Sequence, residues 1–127
     1  MKSHPDKGRK GLDRLVHATR HSFDGLRVAF DHESAFRQEL WIAVVVFPLA
    51  MWLGQNWLER SVLAASIMMV FVVELLNSGI EAAIDRIGAE HHELSKRAKD
   101  LASAAVFLAL LLCATLLITA AARRFIA

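Results

Sequence analysis

One stretch of the sequence, residues 101–122, contains no charged side chain and is rich in leucine, alanine and valine. At about 1.5 Å of rise per residue, a helix of this length crosses the roughly 30 Å hydrocarbon core of a bilayer. The stretch therefore predicts a transmembrane helix. This prediction constrains the rest of the chain, which has to fold as part of a membrane protein.

Two further apolar stretches indicate more transmembrane helices. Residues 40–58 form a shorter uncharged run, with Trp52 and Trp57 at positions typical of membrane-interface anchors and with Pro48 as a point where the helix could kink. The run of residues 61–73 is too short to cross a membrane by itself. A helix can continue from it to Ile84 if the membrane tolerates the acidic residues that follow. With 55% hydrophobic residues among 127, the sequence predicts one small all-α membrane protein with three transmembrane helices.

The region before these stretches has a different pattern. Residues 12–32 predict an amphipathic helix that lies on the membrane surface, because apolar residues recur at helical spacing opposite a charged face. The apolar positions are Leu12, Leu15, Val16, Phe23, Leu26 and Phe30. Residues 1–11 are polar and predict a mobile tail, so residues 33–127 make up the three-helix domain.

Basic residues indicate the orientation of the chain. The N-terminal region contains Lys2, Lys7, Arg9, Lys10, Arg14, Arg20 and Arg27. With the basic residues of segment 86–99, they place the N-terminus on the cytoplasmic side of the membrane. Few aromatic residues are interleaved with this group, so it favours an anionic membrane surface over nucleic acid. We expect no cleaved signal peptide, and the single cysteine, Cys113, excludes a disulfide framework and a thiolate metal site.

A polar stripe stands out within the second apolar segment. At about 100° per residue, one narrow sector of that helix contains Glu74, Asn77, Ser78, Glu81 and Asp85. A carboxylate well inside a bilayer costs about 3 kcal/mol, so acidic residues retained there favour a functional site over a packing site. A single three-helix chain cannot easily shield these acids from lipid, which predicts self-association through small residues. These are Ala64, Ala65, Ala102, Ala104, Ala105 and Ala109.

Depth in the membrane separates the two glutamates of the stripe. Glu74 lies about 10 Å along the helix from Glu81 and deeper in the membrane. Glu81, near the surface, suits Mg²⁺ that also binds phosphates, since Mg²⁺ prefers oxygen ligands. Glu74, partly desolvated, suits a general base that accepts a proton from a lipid hydroxyl.

The segment of residues 90–100, predicted to be a loop, brings cations to the same interface. Lysines there could neutralise phosphate charge. Taken singly, Lys96 and Arg97 are typical of membrane-side anchors, and His91 and His92 are typical of surface residues rather than metal ligands. The sequence has no P-loop motif, so a nucleotide site here would have to be built from helices.

The residues alone leave three function classes open. An enzyme and a transport or proton-relay protein both use intramembrane acids. Carriers commonly contain inverted repeats and helices broken by glycine or proline, whereas the second segment contains only Gly79 and no proline. A scaffold subunit explains neither the amphipathic helix nor the grouping of Glu33, Lys99 and Asp100 near one interface.

Several motifs resemble those of the prokaryotic diacylglycerol kinases. They are ELLNSGIEAAIDRIG at residues 74–88, ELSKRAKD at 93–100, SAAV at 103–106, GLR at 25–27 and ESAFRQE at 33–39. The similarity extends over about residues 14–106 without an obvious gap. The resemblance implies a homotrimer of three-helix subunits, each with an N-terminal surface helix, in the bacterial cytoplasmic membrane. It also implies transfer of the γ-phosphate of MgATP to diacylglycerol.

The resemblance further implies a role for each matching residue. Catalytic roles fall to Glu74 as general base, Asn77, Lys99 and Asp100. The metal ligands are Glu33 and Glu81. ATP contacts fall to Arg14, His21, Glu33, Glu81, Glu90, His91, His92, Lys99 and Asp100. Contacts on the lipid side fall to Arg14, Phe23, Glu39, Glu74 and Ser103.

Three positions depart from the best-known members of this family. His21 replaces a tyrosine, Phe23 a tryptophan and Lys96 a glycine. His21 affects the nucleotide-stacking contact, and Phe23 keeps an aromatic anchor without the N–H donor. Undecaprenol kinases share the motif of residues 74–88 but tend to have a basic or histidine-containing segment at positions matching 35–39. The sequence here favours diacylglycerol as the substrate, with undecaprenol as the alternative.

Overall fold

The computed structural model describes residues 10–126, which form four helices and, within that range, no strand. They are α1 (Leu12–His32), α2 (Ser34–Leu53), α3 (Trp57–Ile87) and α4 (Glu93–Phe125). The chain divides after Glu33 into two compact units, the first containing α1 and the second α2, α3 and α4. Most of the predicted N-terminal tail, residues 1–9, lies outside the described residues.

Helices α2, α3 and α4 are each long and apolar enough to cross a membrane, so the prediction of three such helices is confirmed. The 20 residues of α2 span about 30 Å, close to the thickness of a hydrocarbon core. The 31 residues of α3 and the 33 of α4 span about 46 Å and 50 Å. Both longer helices therefore extend beyond the membrane, and these extensions carry polar residues.

The first apolar run, residues 40–58, is divided between two helices by a turn at residues 54–56. Helix α2 begins at Ser34 and continues through Pro48 to Leu53, and Trp57 begins α3. The Asn56 side chain accepts a hydrogen bond from the Glu59 backbone N–H at 2.9 Å, which caps α3. The turn also needs Gly54, because a Cβ there would lie 2.6 Å from Cγ of Arg60.

The segment of residues 90–100 is mostly helical, so its prediction as a loop is wrong. Nδ1 of His92 accepts a hydrogen bond from the Leu94 backbone N–H at 3.1 Å, and α4 begins at Glu93. Lys96, Lys99 and Asp100 therefore lie on the first turns of α4. A helix fixes the direction of these side chains more firmly than a loop would.

Small side chains permit close packing inside the three-helix unit. The buried core joins Ala50 of α2, Leu63 and Val70 of α3, and Ala109 and Ala120 of α4. Of the small residues predicted at helix contacts, Ala102 and Ala109 are buried, whereas Ala65, Ala104 and Ala105 are exposed. Many large apolar side chains also stay uncovered along the three helices, including Val45, Met68 and Leu108. This exposure suits lipid as the surrounding medium.

Candidate active site

The polar stripe lies on α3 as the sequence predicts. Glu74 is buried, with 5% of its surface exposed, and Asn77 and Glu81 are half-buried. Within α3, Nδ2 of Asn77 donates to Oε1 of Glu81 at 3.2 Å. The expectation that one chain cannot shield the acids is therefore wrong for Glu74, because α3 packs against both α2 and α4 and Glu74 faces the interior.

Two buried oxygen atoms near this stripe accept no hydrogen bond from the described residues. They are Oδ1 of Asn77 and Oε2 of Glu39. Glu39, on α2, lies close enough to Glu74 for the two carboxylates to repel each other. Buried acceptors normally have partners, so these oxygens are suited to receive a donor or a cation from a ligand.

Two ion pairs lie where α3 ends and α4 begins, at the end of the three-helix unit that we predict to face the cytoplasm. Nζ of Lys99 lies 2.8 Å from Oδ1 of Asp85, which joins α4 to α3. Nζ of Lys96 pairs with Oδ2 of Asp100 within α4 at 2.5 Å. Lys99 also interacts electrostatically with Glu81. The last turns of the stripe and the first turns of α4 therefore form one charged cluster.

A cleft of about 370 Å³ opens beside this cluster. Its walls include the predicted nucleotide-contact residues Glu90, His91, His92, Lys99 and Asp100, together with Asp85, Ser95 and Lys96. The cleft thus presents two ammonium groups and several carboxylates beside the connection between α3 and α4. A polyphosphate chain with a bound cation has the complementary charges.

Comparison with known proteins identifies the family. The model of the family "Prokaryotic diacylglycerol kinase" matches residues 20–121. The chain belongs to the prokaryotic diacylglycerol kinase family.

Several curated relatives carry the name diacylglycerol kinase. The protein of Escherichia coli K12 is 48% identical over 101 residues, which cover 80% of this chain and 83% of the relative. That of Haemophilus influenzae is 47% identical over 100 residues, covering 79% and 85%. That of Pseudomonas aeruginosa is 46% identical over 110 residues, covering 87% and 89%. The residues of the stripe and the cleft all lie within the segment that the family matches.

The residues expected to act in a diacylglycerol kinase do not all border the same cleft. Glu74, Asn77 and Glu81 follow α3 towards the membrane and lie outside the cleft walls. Ser103 is exposed on α4, one turn beyond Lys99. Glu39 borders a second, largely apolar groove of about 210 Å³ among α2, α3 and α4. The four remaining residues belong to the first unit, where Arg14, His21 and Phe23 are exposed on α1 and Glu33 is half-buried at its C-terminal end.

The side chains fit a metal ion that is shared with phosphate groups. Among residues 10–126, no three His, Cys, Asp or Glu side chains form a cluster that could enclose a metal. Glu81 nonetheless presents a half-buried carboxylate, and the neighbouring Asn77 Oδ1 is a buried oxygen that accepts no hydrogen bond from the described residues. Mg²⁺ is usually bound through one or two carboxylates, with substrate phosphates and water completing its shell.

Sequence reasoning placed Asp85 on the stripe but gave it no function. The structure shows that Asp85 holds Lys99 across the helix interface. The partners are 14 residues apart and belong to different helices, so no helical periodicity connects them. The pairing of Lys96 with Asp100, four residues apart, is the kind that spacing on one helix does reveal.

Proposed function

We propose that this member of the diacylglycerol kinase family transfers the γ-phosphoryl group of ATP to the free hydroxyl of diacylglycerol and yields phosphatidic acid. The observation that carries the proposal is the position of the buried Glu74 on α3, whose last turns form the charged cluster together with the first turns of α4. A deep carboxylate can reach a lipid hydroxyl, while the cleft beyond it can hold phosphates. The three apolar helices and the bacterial family support a location in the bacterial cytoplasmic membrane. The basic residues of the N-terminal region and of segment 86–99 support an N-terminus in the cytoplasm.

Each step of the transfer then falls to a named residue. Glu74 accepts the proton of the diacylglycerol hydroxyl, whose oxygen forms the new bond to the γ-phosphorus as the bond to the β-phosphate bridging oxygen breaks. Asn77 orients Glu81 through their hydrogen bond. Lys99 offsets the charge that develops on the phosphates, and Asp100 contacts the nucleotide. Glu33 and Glu81 would hold Mg²⁺, which would supply positive charge to neutralise the phosphates.

The surface of α1 supports the proposal that this helix contacts the lipid. Leu12, Leu15, Val16 and Phe23 are all more than half exposed on it, whereas its other face carries charged residues. An exposed apolar face opposite a charged one suits a helix lying in the membrane interface. We propose Arg14 and Phe23 as lipid contacts, supported by Glu39 of α2 and Ser103 of α4. The proposed nucleotide contacts are Arg14, His21, Glu90, His91 and His92.

The decisive experiment follows labelled phosphate from ATP into lipid. Purified protein in vesicles that contain either diacylglycerol or undecaprenol should label diacylglycerol by preference. Labelling of undecaprenol alone would favour the alternative kinase activity. If neither lipid is labelled, ATP-independent proton movement across the same vesicles would indicate a relay protein instead.

We also propose that the chain acts as a homotrimer. Ala65 of α3 and Ala104 and Ala105 of α4 are exposed small residues, and such residues allow helices of neighbouring subunits to approach closely in a membrane. We expect native mass measurement in a mild detergent to give three copies. A monomer that still phosphorylates diacylglycerol would contradict this prediction.

The metal assignment makes a separate prediction for Glu81 and Glu33. Replacing either with Gln removes an anionic oxygen ligand. Each variant should therefore require a Mg²⁺ concentration at least about tenfold higher for the same turnover, and its KM for MgATP should rise. Turnover measured over a range of Mg²⁺ at fixed ATP tests this. Glu93→Gln, which removes a carboxylate from the exposed start of α4, is the matched control. An unchanged Mg²⁺ requirement in both variants would reject the assignment.

A further inference from the structure

The opposite end of the three-helix unit carries a second concentration of charge. We call it the distal end, and it consists of the last residues of α2, the turn that follows, the start of α3 and the last turn of α4. Nε2 of Gln55 donates to the Arg123 carbonyl oxygen at 3.4 Å, which joins the turn to α4. The distal end contains Arg60, Arg123 and Arg124 but, within the described part of the chain, one acidic residue, Glu59.

Only one of the three arginines has an acidic partner among the described residues. Arg123 pairs with Oε1 of Glu59, whose other oxygen accepts the Gln55 backbone N–H at 2.8 Å. This ion pair uses the carboxylate of Glu59, which is the one acidic side chain of the distal end among residues 10–126. Arg60 and Arg124 therefore have no acidic partner among those residues.

Both of these arginines lie over tryptophan rings. The guanidinium carbon of Arg124 is 4.3 Å from the centre of the Trp52 ring, and that of Arg60 is 5.5 Å from the Trp57 ring. Nε of Arg60 also donates to the Gly54 carbonyl oxygen at 3.1 Å, which fixes its position against the turn. Stacking occupies one face of a guanidinium and leaves N–H groups at its edge for further acceptors.

The surroundings identify the acceptor that these groups would meet. Trp52 is 50% exposed and Trp57 is 81% exposed at the ends of membrane-crossing helices, a position typical of tryptophan at the level of lipid headgroups. At that level the abundant acceptor is the phosphodiester of a phospholipid, which matches the fork of N–H donors on arginine. A lipid with net negative charge complements two uncompensated arginines better than a zwitterionic one does.

We propose that Trp52, Trp57, Arg60 and Arg124 form a contact surface for the headgroups of anionic phospholipids. The surface is separate from the site of phosphoryl transfer, and lipid binding there requires no turnover. It gives this end of the protein a preference for anionic lipid, and the preference is electrostatic because phosphatidylcholine offers the same phosphate with a compensating positive charge.

The two tryptophans report on their own lipid neighbours. The chain contains three tryptophans, so Trp41→Phe leaves only Trp52 and Trp57 to fluoresce. Full-length protein with that change is placed in phosphatidylcholine vesicles that contain either brominated phosphatidylglycerol or brominated phosphatidylcholine, since bromine quenches nearby tryptophan. We expect phosphatidylglycerol to be preferred at these tryptophans by about fivefold for each arginine, equivalent to about 1 kcal/mol per charge.

Two double variants test which arginines cause the preference for phosphatidylglycerol. Arg60→Gln combined with Arg124→Gln should bring the ratio of phosphatidylglycerol to phosphatidylcholine binding close to one. Arg86→Gln combined with Arg97→Gln removes the same charge from the other end of the unit and should leave the ratio unchanged. Raising the salt concentration from about 0.1 M to 1 M should weaken the preference in the parent protein, because the screening length falls from about 10 Å to 3 Å.

Three results would overturn the proposal: equal quenching by the two brominated lipids in the parent protein, an unchanged ratio in the variant lacking both distal arginines, or a preference insensitive to salt. Since the salt measurement uses the parent protein, the proposal stays testable even if a variant does not fold. The quenching measurement also involves no ATP, so its failure cannot be confused with failure of the kinase assignment.

Discussion

Replacing Glu74 with Gln is expected to abolish phosphoryl transfer while leaving the folded protein and nucleotide binding nearly intact. Glutamine keeps the volume and polarity of the side chain but cannot accept the hydroxyl proton. General-base catalysis contributes about 10² to 10⁴ in rate, so turnover at saturating MgATP should fall by at least that much. Thermal stability and nucleotide binding are measured on the same preparation.

The surroundings of Glu74 distinguish this expectation from a packing role. Glu74 is buried and lies beside Glu39, so a neutral isostere there removes a like-charge repulsion. If Glu74 served only in packing, Glu74→Gln would stabilise the protein and spare its activity. Turnover within a few-fold of the parent protein would therefore end the general-base assignment.

A matched control exists on the same helix. Glu59→Gln removes a carboxylate from the distal end of α3, where Glu59 pairs with Arg123. That change should lower stability only modestly, because ion pairs near the surface contribute little, and it should leave turnover per folded protein unchanged. Loss of activity in both variants would indicate a general effect of altering α3 rather than a specific role of Glu74.

Helical periodicity in the sequence correctly predicted which residues share one face of a helix. The stripe from Glu74 to Asp85 lies on α3 because residues three and four apart share a face, whatever packs around them. The rule that membrane segments are uncharged was less accurate at helix ends. Helix α2 begins at Ser34 and contains Arg37 and Glu39 in its first two turns, so the uncharged run starts six residues late.

Periodicity and hydropathy could not predict features that depend on one capping side chain or on the packing of one helix against another. The start of α4 depends on the His92 ring accepting a backbone N–H, and histidine is not among the residues usually expected at that position. The burial of Glu74 depends on how α2 and α4 pack against α3. The sequence shows which residues are polar on α3 but not which of them its neighbours cover.

The pairing of Asp85 with Lys99 leads to the second large expected effect. Lys99→Met should lower turnover by about 10² to 10³, a loss typical of removing one group that stabilises charge developing in the transition state. Arg97→Met is the matched control, because Arg97 is an exposed cation on α4 that lies outside the cleft walls. The proposal gives Arg97 no role in the transfer, so this change should keep turnover within a few-fold of the parent protein.

Asp85 should act through Lys99 rather than on the phosphates directly. Its carboxylate holds Nζ of Lys99 at 2.8 Å from α3, and we expect Asp85→Asn to lower turnover by about tenfold because the lysine is then less firmly positioned. Turnover of the two single variants and of the double variant, measured against MgATP concentration, completes the test. If Asp85 only positions Lys99, the double variant is no slower than Lys99→Met alone, since the lysine that Asp85 holds is already gone. A double variant slowed by the product of the two single losses would instead show that Asp85 contributes independently to the reaction.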